Sequence, residues 1–489
     1  MDIIIISLYL ISMTLIMIFS LVQFDLSLRY IKNKKNQVQP EIIAEPLKEY
    51  PFVTIQLPIY NEKYVVERLM QFVSELDYPK HKLEIQVLDD SSDETSAILR
   101  KNIENLKEKH IEINYLHRDN RIGYKAGALQ DGLQTAKGEF IAIFDADFIP
   151  QKDFLLKTIP FFNDDRIGLV QTKWGHINEN YSLLTKLQAF GLNAHFSVEQ
   201  VGRSSAGSFI NFNGTAGIWR KKCIIDSGGW DMHILSEDLD LSYRAQLKGW
   251  KFTYLEDVIA PAELPIVLPA IRSQQFRWTK GGAETARKTL ANVLKTQLHW
   301  RNKLHAIFHL LNSTVFPLLL LAAITSIPML FIKKTNPEYK IFFDLGSVFI
   351  IGFLGISFFY WVAARYNHPQ RTFSYYLSNF PLFLIFCMGL SYQNTVAVLE
   401  GLIGIKTPFI RTPKFNILSH NDSWRDNVYI ETKISWQNVI EFLLFLYFLS
   451  GAGIGIYLGD FGLVLFHLML AFGFAGISYY TFKSDVANA

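Results

Sequence analysis

Two pairs of acidic residues stand directly after short apolar runs in the first half of the chain. Asp89 and Asp90 form the first pair, and Asp145 and Asp147 form the second. The first pair has an ordinary explanation, because an acidic residue there can cap a helix. Two carboxylates at positions i and i+2 after a buried strand repel each other unless a cation or a donor compensates. Because Mg²⁺ typically binds one or two carboxylates together with phosphate oxygens, Asp145 and Asp147 indicate a divalent-metal site facing a diphosphate.

A third acidic cluster opens a helical pattern after Ser236. It contains Glu237, Asp238 and Asp240. Acidic side chains in a first helical turn favour the helix dipole, which explains one or two of them. Three exceed that need, and one of them is a plausible general base.

A group of polar and aromatic residues precedes a helix-like basic stretch near residue 300. It consists of Gln274, Gln275, Arg277 and Trp278. An isolated Arg-Trp pair is usually an arginine that snorkels beside an interfacial aromatic residue. On its own, this group therefore leaves a site and a bilayer anchor as alternatives.

The sequence pattern of residues 50–300 predicts the strands and helices that would position these side chains. Short apolar runs alternate there with polar, helix-like segments. This alternation predicts a parallel sheet that is buried on both faces. Ligands bind at the carboxyl ends of the strands in such sheets, where the acidic pairs stand. Pro58, Tyr60 and Glu62 follow the first apolar run, and a simple turn is the alternative for them.

Composition predicts a membrane protein with more than one structural unit. The chain has 489 residues, of which 49% are apolar, and residues 3–24 carry no charge. That run is long enough to cross a bilayer. A cleaved signal peptide is the alternative, but a basic start and a small-residue cleavage site are lacking. Arg29, Lys32, Lys34 and Lys35 follow the run, so the positive-inside rule predicts that the next residues are cytoplasmic.

Charge and cysteine content exclude other classes of protein. The net charge of +3 is too small to indicate a nucleic-acid partner, and no long basic tract is present. The chain has two cysteines, Cys223 in a soluble-looking stretch and Cys387 in an apolar one. Neither a disulfide framework nor a zinc site is expected.

The order of these motifs resembles that of a known enzyme family. Paired Asp, Asp-x-Asp, Glu-Asp and Gln-x-x-Arg-Trp, followed by membrane helices, resemble the processive family-2 glycosyltransferases, which include cellulose, chitin and hyaluronan synthases. The segments VLDDSSD, FNGTAGIWR, GGWD, SEDLDLSYRAQLKGWKF and QQFRWTKG resemble most the cellulose-synthase-like mannan and glucan synthases of plants and their bacterial relatives. The resemblance spans about residues 50–300. One departure is Ser236, where many members carry threonine, and this change keeps the hydroxyl group.

The resemblance implies an α/β GT-A domain, a nucleotide-diphospho-sugar transferase fold, inserted between transmembrane helices. By the resemblance, the donor would be bound by Pro58, Tyr60, Glu62, Asp90 and Lys125, with Asp90 at the base edge; Asp147 and Asp145 would hold Mg²⁺ or Mn²⁺; Asp238 and Glu237 would be catalytic; and Gln274, Gln275, Arg277 and Trp278 would form the acceptor end. An inverting transfer needs a base on the acceptor side and charge neutralisation on the leaving diphosphate, which agrees with these roles.

The segment FIRTPK resembles the mobile gating loop of cellulose synthases, in which an aromatic residue and a threonine meet the nucleotide. The resemblance implies this role for Phe409, Arg411, Thr412 and Lys414. The alternative is a juxtamembrane basic cluster, formed by Lys406, Arg411 and Lys414, that meets anionic lipid.

Six segments are expected along the chain. They are an N-terminal transmembrane helix (1–30), a cytoplasmic GT-A domain (45–262), interfacial helices with the Gln-x-x-Arg-Trp motif (263–303), transmembrane helices with a re-entrant or interfacial segment (304–398), a gating-like cytoplasmic loop (399–436) and two C-terminal transmembrane helices (437–489). An even number of spans must separate the two cytoplasmic parts, yet three apolar stretches do. Residues 375–398, the poorest span, are therefore expected to be re-entrant or interfacial. Lys333 and Lys334 would then lie outside, against the charge rule.

Together these expectations describe an inverting, metal-dependent hexosyltransferase. We expect a processive β-glycosyltransferase that polymerises glucose or mannose, in β-1,4-glucan or mannan type, from UDP-glucose or GDP-mannose. The growing glycan would leave through the chain's own membrane helices. The alternative is a lipid glycosyltransferase that adds one β-linked hexose to diacylglycerol or ceramide. The FNGTAGIWR block, the gate-like loop and the C-terminal spans favour the polymer. A composition rich in Asn, Lys and Ile indicates a bacterial inner membrane.

Overall fold

A mixed β-sheet forms the centre of the structure. The computed structural model describes residues 1–36, 49–107, 111–417, 422, 429 and 436–486. Within these residues, seven strands form one sheet: β1 (Val53–Ile59), β2 (Leu83–Asp89), β3 (Glu112–His117), β4 (Phe140–Ile143), β5 (Ile167–His176), β6 (Gly217–Arg220) and β7 (Lys251–Ala262). β1, β2 and β4 are buried along almost their whole length, which explains their continuous apolar sequences.

The sheet has the strand order β3-β2-β1-β4-β6-β5-β7. β1 runs parallel to β2 and β4, and β5 runs parallel to β7, but β6 is antiparallel to both of its neighbours. The prediction of a wholly parallel sheet is therefore wrong for this strand. The residues before β6 cross the carboxyl edge of β4, where the Asp145 amide donates to Thr215 Oγ1 at 2.9 Å. β6 consequently starts at that edge and runs back along β4.

Helices cover both faces of the sheet. In chain order, α1 (Asp2–Lys35) precedes the sheet, and the helices among the strands are α2 (Val66–Ser74), α3 (Thr95–Lys107), α4 (Tyr124–Thr135), α5 (Phe154–Thr158), α6 (Leu183–Ala194), α7 (Gln200–Ser204), α8 (Lys221–Asp226) and α9 (Glu237–Leu247). α6 begins with reciprocal hydrogen bonds between Ser182 and Thr185. A π-helical turn, His195–Glu199, joins α6 to α7.

The apolar core lies on the two faces of the sheet. Leu57, Val87 and Phe144 belong to the cluster on one face, and Leu129 and Ile143 belong to the cluster on the other. A fully buried side chain of this kind contributes about 1.5–3 kcal/mol. The sheet is therefore a firm support for the loops at its carboxyl edge.

The second half of the chain is helical and largely apolar. Its helices are α10 (Leu268–Lys295), α11 (Trp300–Leu310), α12 (Val315–Thr335), α13 (Lys340–Leu345), α14 (Ile350–Asn367), α15 (Thr372–Gly389), α16 (Ser391–Ile403), α17 (Trp436–Leu458) and α18 (Val464–Val486). In the part of the chain that the structure describes, five helical stretches are long and apolar enough to cross a membrane. They begin at Asp2, Asn312, Pro337, Trp436 and Val464. These stretches fit a membrane protein by their length and composition.

The stretch that was expected to be re-entrant forms a bent pair of helices. α15 and α16 meet at an angle of 53°, which is compatible with a broken span or with a re-entrant loop. The predicted status of residues 375–398 stays a prediction. Lys333, which the charge rule disfavours outside the cell, pairs with Asp460 between α17 and α18 at 2.6 Å. Its charge is therefore offset by a neighbouring carboxylate.

Candidate active site

One cavity at the carboxyl edge of β1, β2 and β4 collects nearly all of the predicted site residues. It is lined by Pro58, Tyr60, Glu62, Asp90, Lys125, Asp145, Asp147, Glu237, Asp238, Gln274, Arg277, Trp278, Phe409, Arg411, Thr412 and Lys414, among others. Gln275 lies on α10 beside these residues but does not line the cavity. Side chains that are far apart in the sequence therefore meet at one place.

Asp145 is held by a lysine and by the segment that precedes β6. Lys125 Nζ donates to Asp145 Oδ1 at 2.5 Å and to the carbonyl oxygen of Gly214 at 2.9 Å. Burial opposes the positive charge of Lys125, but the carboxylates of Asp145 and Glu237 outweigh this effect and raise its pKa. Lys125 is therefore a fixed cation at the cavity wall.

Asp147 has the features of a metal ligand. Its side chain is buried, and Oδ2 accepts a hydrogen bond from Lys414 Nζ at 2.8 Å. Oδ1 is buried without a hydrogen-bond partner among the described residues, and leaving a buried acceptor unpaired is costly. In the same part of the chain, no three His, Cys, Asp or Glu side chains are grouped to enclose a metal. Asp145 and Asp147 therefore fit a divalent metal that completes its ligand set with phosphate oxygens.

Glu237 and Asp238 begin α9 and face the same cavity. The backbone of Gly214, at a φ of +82°, lies so close that a Cβ there would be 3.2 Å from Asp238 Oδ2. The Leu239 amide donates to Asp238 Oδ1 at 2.8 Å. Burial raises the pKa of Asp238 to about 6, and burial together with repulsion from Asp238 raises the pKa of Glu237. A carboxyl group whose pKa lies close to neutrality is suited to proton transfer.

Helix α10 brings Gln274, Arg277 and Trp278 to the cavity by packing closely against the start of α9. A Cβ at Gly281 of α10 would lie 2.1 Å from Ser236 Oγ. No side chain fits between the two helices at this point, so the glycine is required for their separation. The close approach places the aromatic and cationic residues of α10 opposite the carboxylates of α9.

Arg118 is a site residue that the motifs do not indicate. Its guanidinium donates to both carboxylate oxygens of Asp90, at 2.7 and 2.6 Å, and to the carbonyl oxygen of Tyr124 at 2.8 Å. Asp90, which was expected at the base edge of a nucleotide, is therefore held in one orientation. Its oxygens can each accept a further hydrogen bond.

Strained backbone surrounds the cavity. Asn61, Arg121, Tyr124 and Ala216 are not glycine, yet their φ angles lie between +42° and +53°. Such conformations cost energy and cluster at functional sites. The turn at Arg121 brings its guanidinium to 3.2 Å from the ring centroid of Tyr60. The residue types at these positions do not predict the positive φ angles.

The gate-like segment, defined as residues 409–414, lies over the cavity. Arg411 pairs with Glu62 at 3.1 Å, and Arg277 Nη2 donates to Thr412 Oγ1 at 3.2 Å. Arg411 thus points into the cavity, as Lys414 does, which favours the gate over a lipid-facing basic cluster. Of the expected loop 399–436, residues 418–421, 423–428 and 430–435 lie outside the described residues.

The cavity extends to the end of β5. Trp174 and His176 line it, and neither Trp174 Nε1 nor His176 Nε2 has a hydrogen-bond partner among the described residues. Burial, assisted by the nearby charge of Lys173, lowers the pKa of His176 to about 4, so its imidazole is neutral at physiological pH. The position of His176 at a strand end was the sequence signal that could have identified this residue.

Comparison with known proteins identifies the class of this domain. Residues 51–281 match the family described as glycosyltransferase like family 2, so this part of the chain is a glycosyltransferase family 2 domain. The solved structure of mannosyltransferase PcManGT from Pyrobaculum calidifontis, in complex with GDP-Man and Mn²⁺, matches with a TM-score of 0.56 and 18% identity. The match covers 82% of this chain and 100% of that one. At this identity the likeness shows the fold, which is GT-A as expected.

Two curated relatives indicate which branch of the family this domain resembles. A probable glucomannan 4-beta-mannosyltransferase of rice, Oryza sativa subsp. japonica, is 45% identical over 53% of this chain and 48% of the relative. Glucomannan 4-beta-mannosyltransferase 7 of Arabidopsis thaliana is 42% identical over 51% of this chain and 46% of the relative. The chain therefore spans about half the length of the curated relatives that it matches. The resemblance to cellulose-synthase-like mannan and glucan synthases is confirmed.

Proposed function

We propose that this chain is an inverting, metal-dependent mannosyltransferase that forms a β-linked glycan from GDP-mannose. The observation that carries the proposal is the meeting of Asp145, Asp147, Lys125, Asp238 and Arg277 in one cavity. The names of the relatives support mannose as the sugar, and GDP-Man is the donor in the PcManGT structure. None of these names supports the expected alternative, UDP-glucose.

The donor side of the reaction requires positive charge around the diphosphate. Asp145 and Asp147 would hold Mg²⁺ or Mn²⁺, which stabilises the negative charge that develops on the leaving group. Lys125 and Arg277 line the same cavity and supply further positive charge. Preorganised charges in a site that excludes water stabilise a transition state strongly.

The acceptor side requires a base. Asp238 takes the proton of the acceptor hydroxyl as its oxygen attacks the anomeric carbon of mannose. The bond between that carbon and the diphosphate oxygen breaks in the same displacement, and GDP leaves. An α-linked donor attacked from the opposite face gives a β-linkage. Trp278 at the cavity wall offers a flat face on which the acceptor sugar stacks.

The gate-like segment controls access in this proposal. With residues 409–414 in place, the cavity retains about 190 Å³, whereas small-molecule sites typically measure about 300–1,000 Å³. In this position of the segment, Arg411 is ion-paired with Glu62, and Lys414 is ion-paired with Asp147. The segment moves away to admit the donor and then closes over it.

The product is a polymer in this proposal, and the membrane helices guide it out of the catalytic site. Mannan synthesis in the relatives supports this reading over transfer of one hexose to diacylglycerol or ceramide. Those relatives are plant proteins, so they do not support the expected bacterial inner membrane. The proposal is therefore limited to a multi-pass membrane enzyme.

A donor screen tests the proposal. Purified protein in detergent is incubated with Mn²⁺ and with labelled GDP-mannose, UDP-glucose or UDP-N-acetylglucosamine. We expect transfer from GDP-mannose to exceed transfer from the two UDP-sugars by at least about tenfold, or about 1.4 kcal/mol in transition-state binding. A preference for UDP-glucose would refute the assignment of the sugar, and label found only in extractable lipid would refute the polymer.

A further inference from the structure

Helix α10 is ion-paired to both helices that bracket the gate-like segment. α16 ends just before this segment, and α17 begins after the interval that contains it. On α10, both contacts are made by residues outside the Gln-x-x-Arg-Trp motif itself, Arg272 before it and Lys280 after it. They flank the residues of α10 that line the cavity.

The first contact joins α10 to α16. Lys280 Nζ, on a fully buried side chain, donates to Glu400 Oε2 at 2.7 Å. Thr407 lies three residues after Gly404. Its hydroxyl group accepts a hydrogen bond from Lys280 and donates one to Glu400 at 3.1 Å. The helices touch backbone to backbone here, since a Cβ at Gly401 would lie 2.7 Å from the carbonyl oxygen of Lys280. The start of the interval is therefore fixed to α10.

The second contact joins α10 to α17. Arg272 donates through Nη1 and Nη2 to the two oxygens of Glu441, both at 2.8 Å. The Glu441 side chain is fully buried, and it lies in the second turn of a membrane-spanning helix. Gln393 of α16 donates to the carbonyl oxygen of Arg272 at 2.7 Å. The far end of the interval is therefore fixed to the same helix.

The two buried ion pairs restrict how the helices can pack against one another. An ion pair that is removed from water gains little stability over an apolar pair of similar size, but it is strongly disfavoured in any register that separates its charges. An ionisable residue within a membrane helix, such as Glu441, is also rarely retained without a function. The geometry consequently favours one position of α16 and α17 along α10.

Helix α10 connects α16 and α17 to the residues that line the cavity. Gly281, next to Lys280, is the point of closest approach to Ser236 at the start of α9. Arg277, between the two ion pairs, contacts Thr412 and lies 4.5 Å over the ring of Phe409. One helix therefore relates the carboxylates of α9 to α16, to α17 and to residues of the gate-like segment itself.

We propose that Arg272 and Lys280 are positioning residues, which bind Glu441 and Glu400 and thereby hold α17 and α16, the helices that follow and precede the gate-like segment, in register with the carboxylates of α9. Neither residue touches the donor or the reacting atoms in this proposal. The inference deepens the proposed function, and it rests on that function for its kinetic readout and for protection by GDP, but not for cleavage without nucleotide.

Charge removal and charge exchange test the inference. The neutral variants are Glu400→Gln and Glu441→Gln, and the exchanged pairs are Lys280→Glu with Glu400→Lys and Arg272→Glu with Glu441→Arg. Trypsin cleavage after Arg411 and Lys414 reports the position of the segment, with and without GDP and Mn²⁺. Because hinge residues affect KM and kcat together, we expect each neutral variant to raise the donor KM and to lower kcat by about tenfold. We expect GDP and Mn²⁺ to protect the segment less well than in the native protein.

The exchanged pairs separate positioning from packing. They should restore both readouts to within about threefold of the native protein, because the attraction survives the exchange. The matched control reverses the ion pair between Lys333 and Asp460, which joins membrane helices away from the cavity, and it should alter neither readout. Neutral variants that elute as folded protein with native KM and native protection would overturn the inference, as would folded exchanged pairs that restore nothing. Cleavage measured without nucleotide decides the matter even if GDP-mannose proves not to be the donor, because each neutral variant should then be cut after Arg411 and Lys414 faster than the native protein.

Discussion

Asp238 and Glu237 are neighbouring carboxyl groups where α9 begins. Glu237 is buried and Asp238 is half-buried, and this environment sets the pH range in which the proposed base works. Burial raises the pKa of Asp238 to about 6, against about 3.9 for an exposed aspartate. A raised pKa means that the protonated, inactive form appears at a higher pH. We therefore predict that kcat falls as the pH drops through about 6. A pH–rate profile at saturating donor measures this, and constant activity down to about pH 4.5 would contradict it.

Asp147 is the residue through which metal dependence is most directly tested. Its Oδ1 has no hydrogen-bond partner among the described residues, so replacement by asparagine removes a negative charge without disturbing a bond to that atom. We predict that Asp147→Asn weakens Mn²⁺ binding in the presence of GDP by at least about tenfold, because a neutral amide replaces one of two carboxylates. Electron paramagnetic resonance of free Mn²⁺ measures the affinity. The exposed Asp165→Asn is the control, and undiminished activity of the native protein in EDTA would contradict the metal's role.

At the scale of elements, the packing of α10 on α9 can be tested with two adjacent glycines. A Cβ at Gly281 would lie 2.1 Å from Ser236 Oγ, whereas a Cβ at Gly282 would meet Ser313 Oγ at an ordinary 3.7 Å. We predict that Gly281→Ala separates the helices and lowers kcat by at least about tenfold, since displacements of about 1 Å can cost a hundredfold. Gly282→Ala should keep native activity and match or exceed native stability, because alanine favours a helix by up to about 1 kcal/mol over glycine. Equal activities of the two variants would contradict the account.

The elements differ in how far the sequence predicts them. β1, β2 and β4 are buried on both faces, so their apolar runs predict them directly. Of the acidic pairs at their ends, Asp90, Asp145 and Asp147 line the cavity, whereas Asp89 does not. The direction of β6 was not predictable in this way. It depends on hydrogen bonds between residues far apart in the chain, such as that from the Asp145 amide to Thr215 Oγ1.

The same limit applies to individual site residues. Arg118 acts through its pairing with Asp90, and Arg121 reaches Tyr60 because its own backbone is strained. Neither feature leaves a local pattern in the sequence. Gln275 shows the converse, because it belongs to the motif but does not line the cavity. A motif identifies the helix, whereas the helical repeat decides which of its residues face the site.

At the scale of the whole molecule, the catalytic domain and the membrane helices share contacts that a soluble enzyme would not need. Tyr30 of α1 donates to Glu256 of β7 at 2.8 Å, and Lys173 of β5 donates to Asn367 of α14 at 2.7 Å. These buried polar contacts fix the domain against the first and third apolar stretches. A polymer that leaves the cavity would therefore meet the membrane helices in a constant geometry.

The size and linkage of the product test the central claim most directly. Native protein and the Asp238→Asn variant are incubated with labelled GDP-mannose and Mn²⁺, and the products are sized before and after digestion with an endo-β-1,4-mannanase. The account predicts that the native protein makes high-molecular-weight material that the mannanase degrades. It also predicts that the variant binds the donor but loses at least about a hundredfold in rate, as expected on removal of a general base. An α-linked product, or native activity in the Asp238→Asn variant, would contradict it.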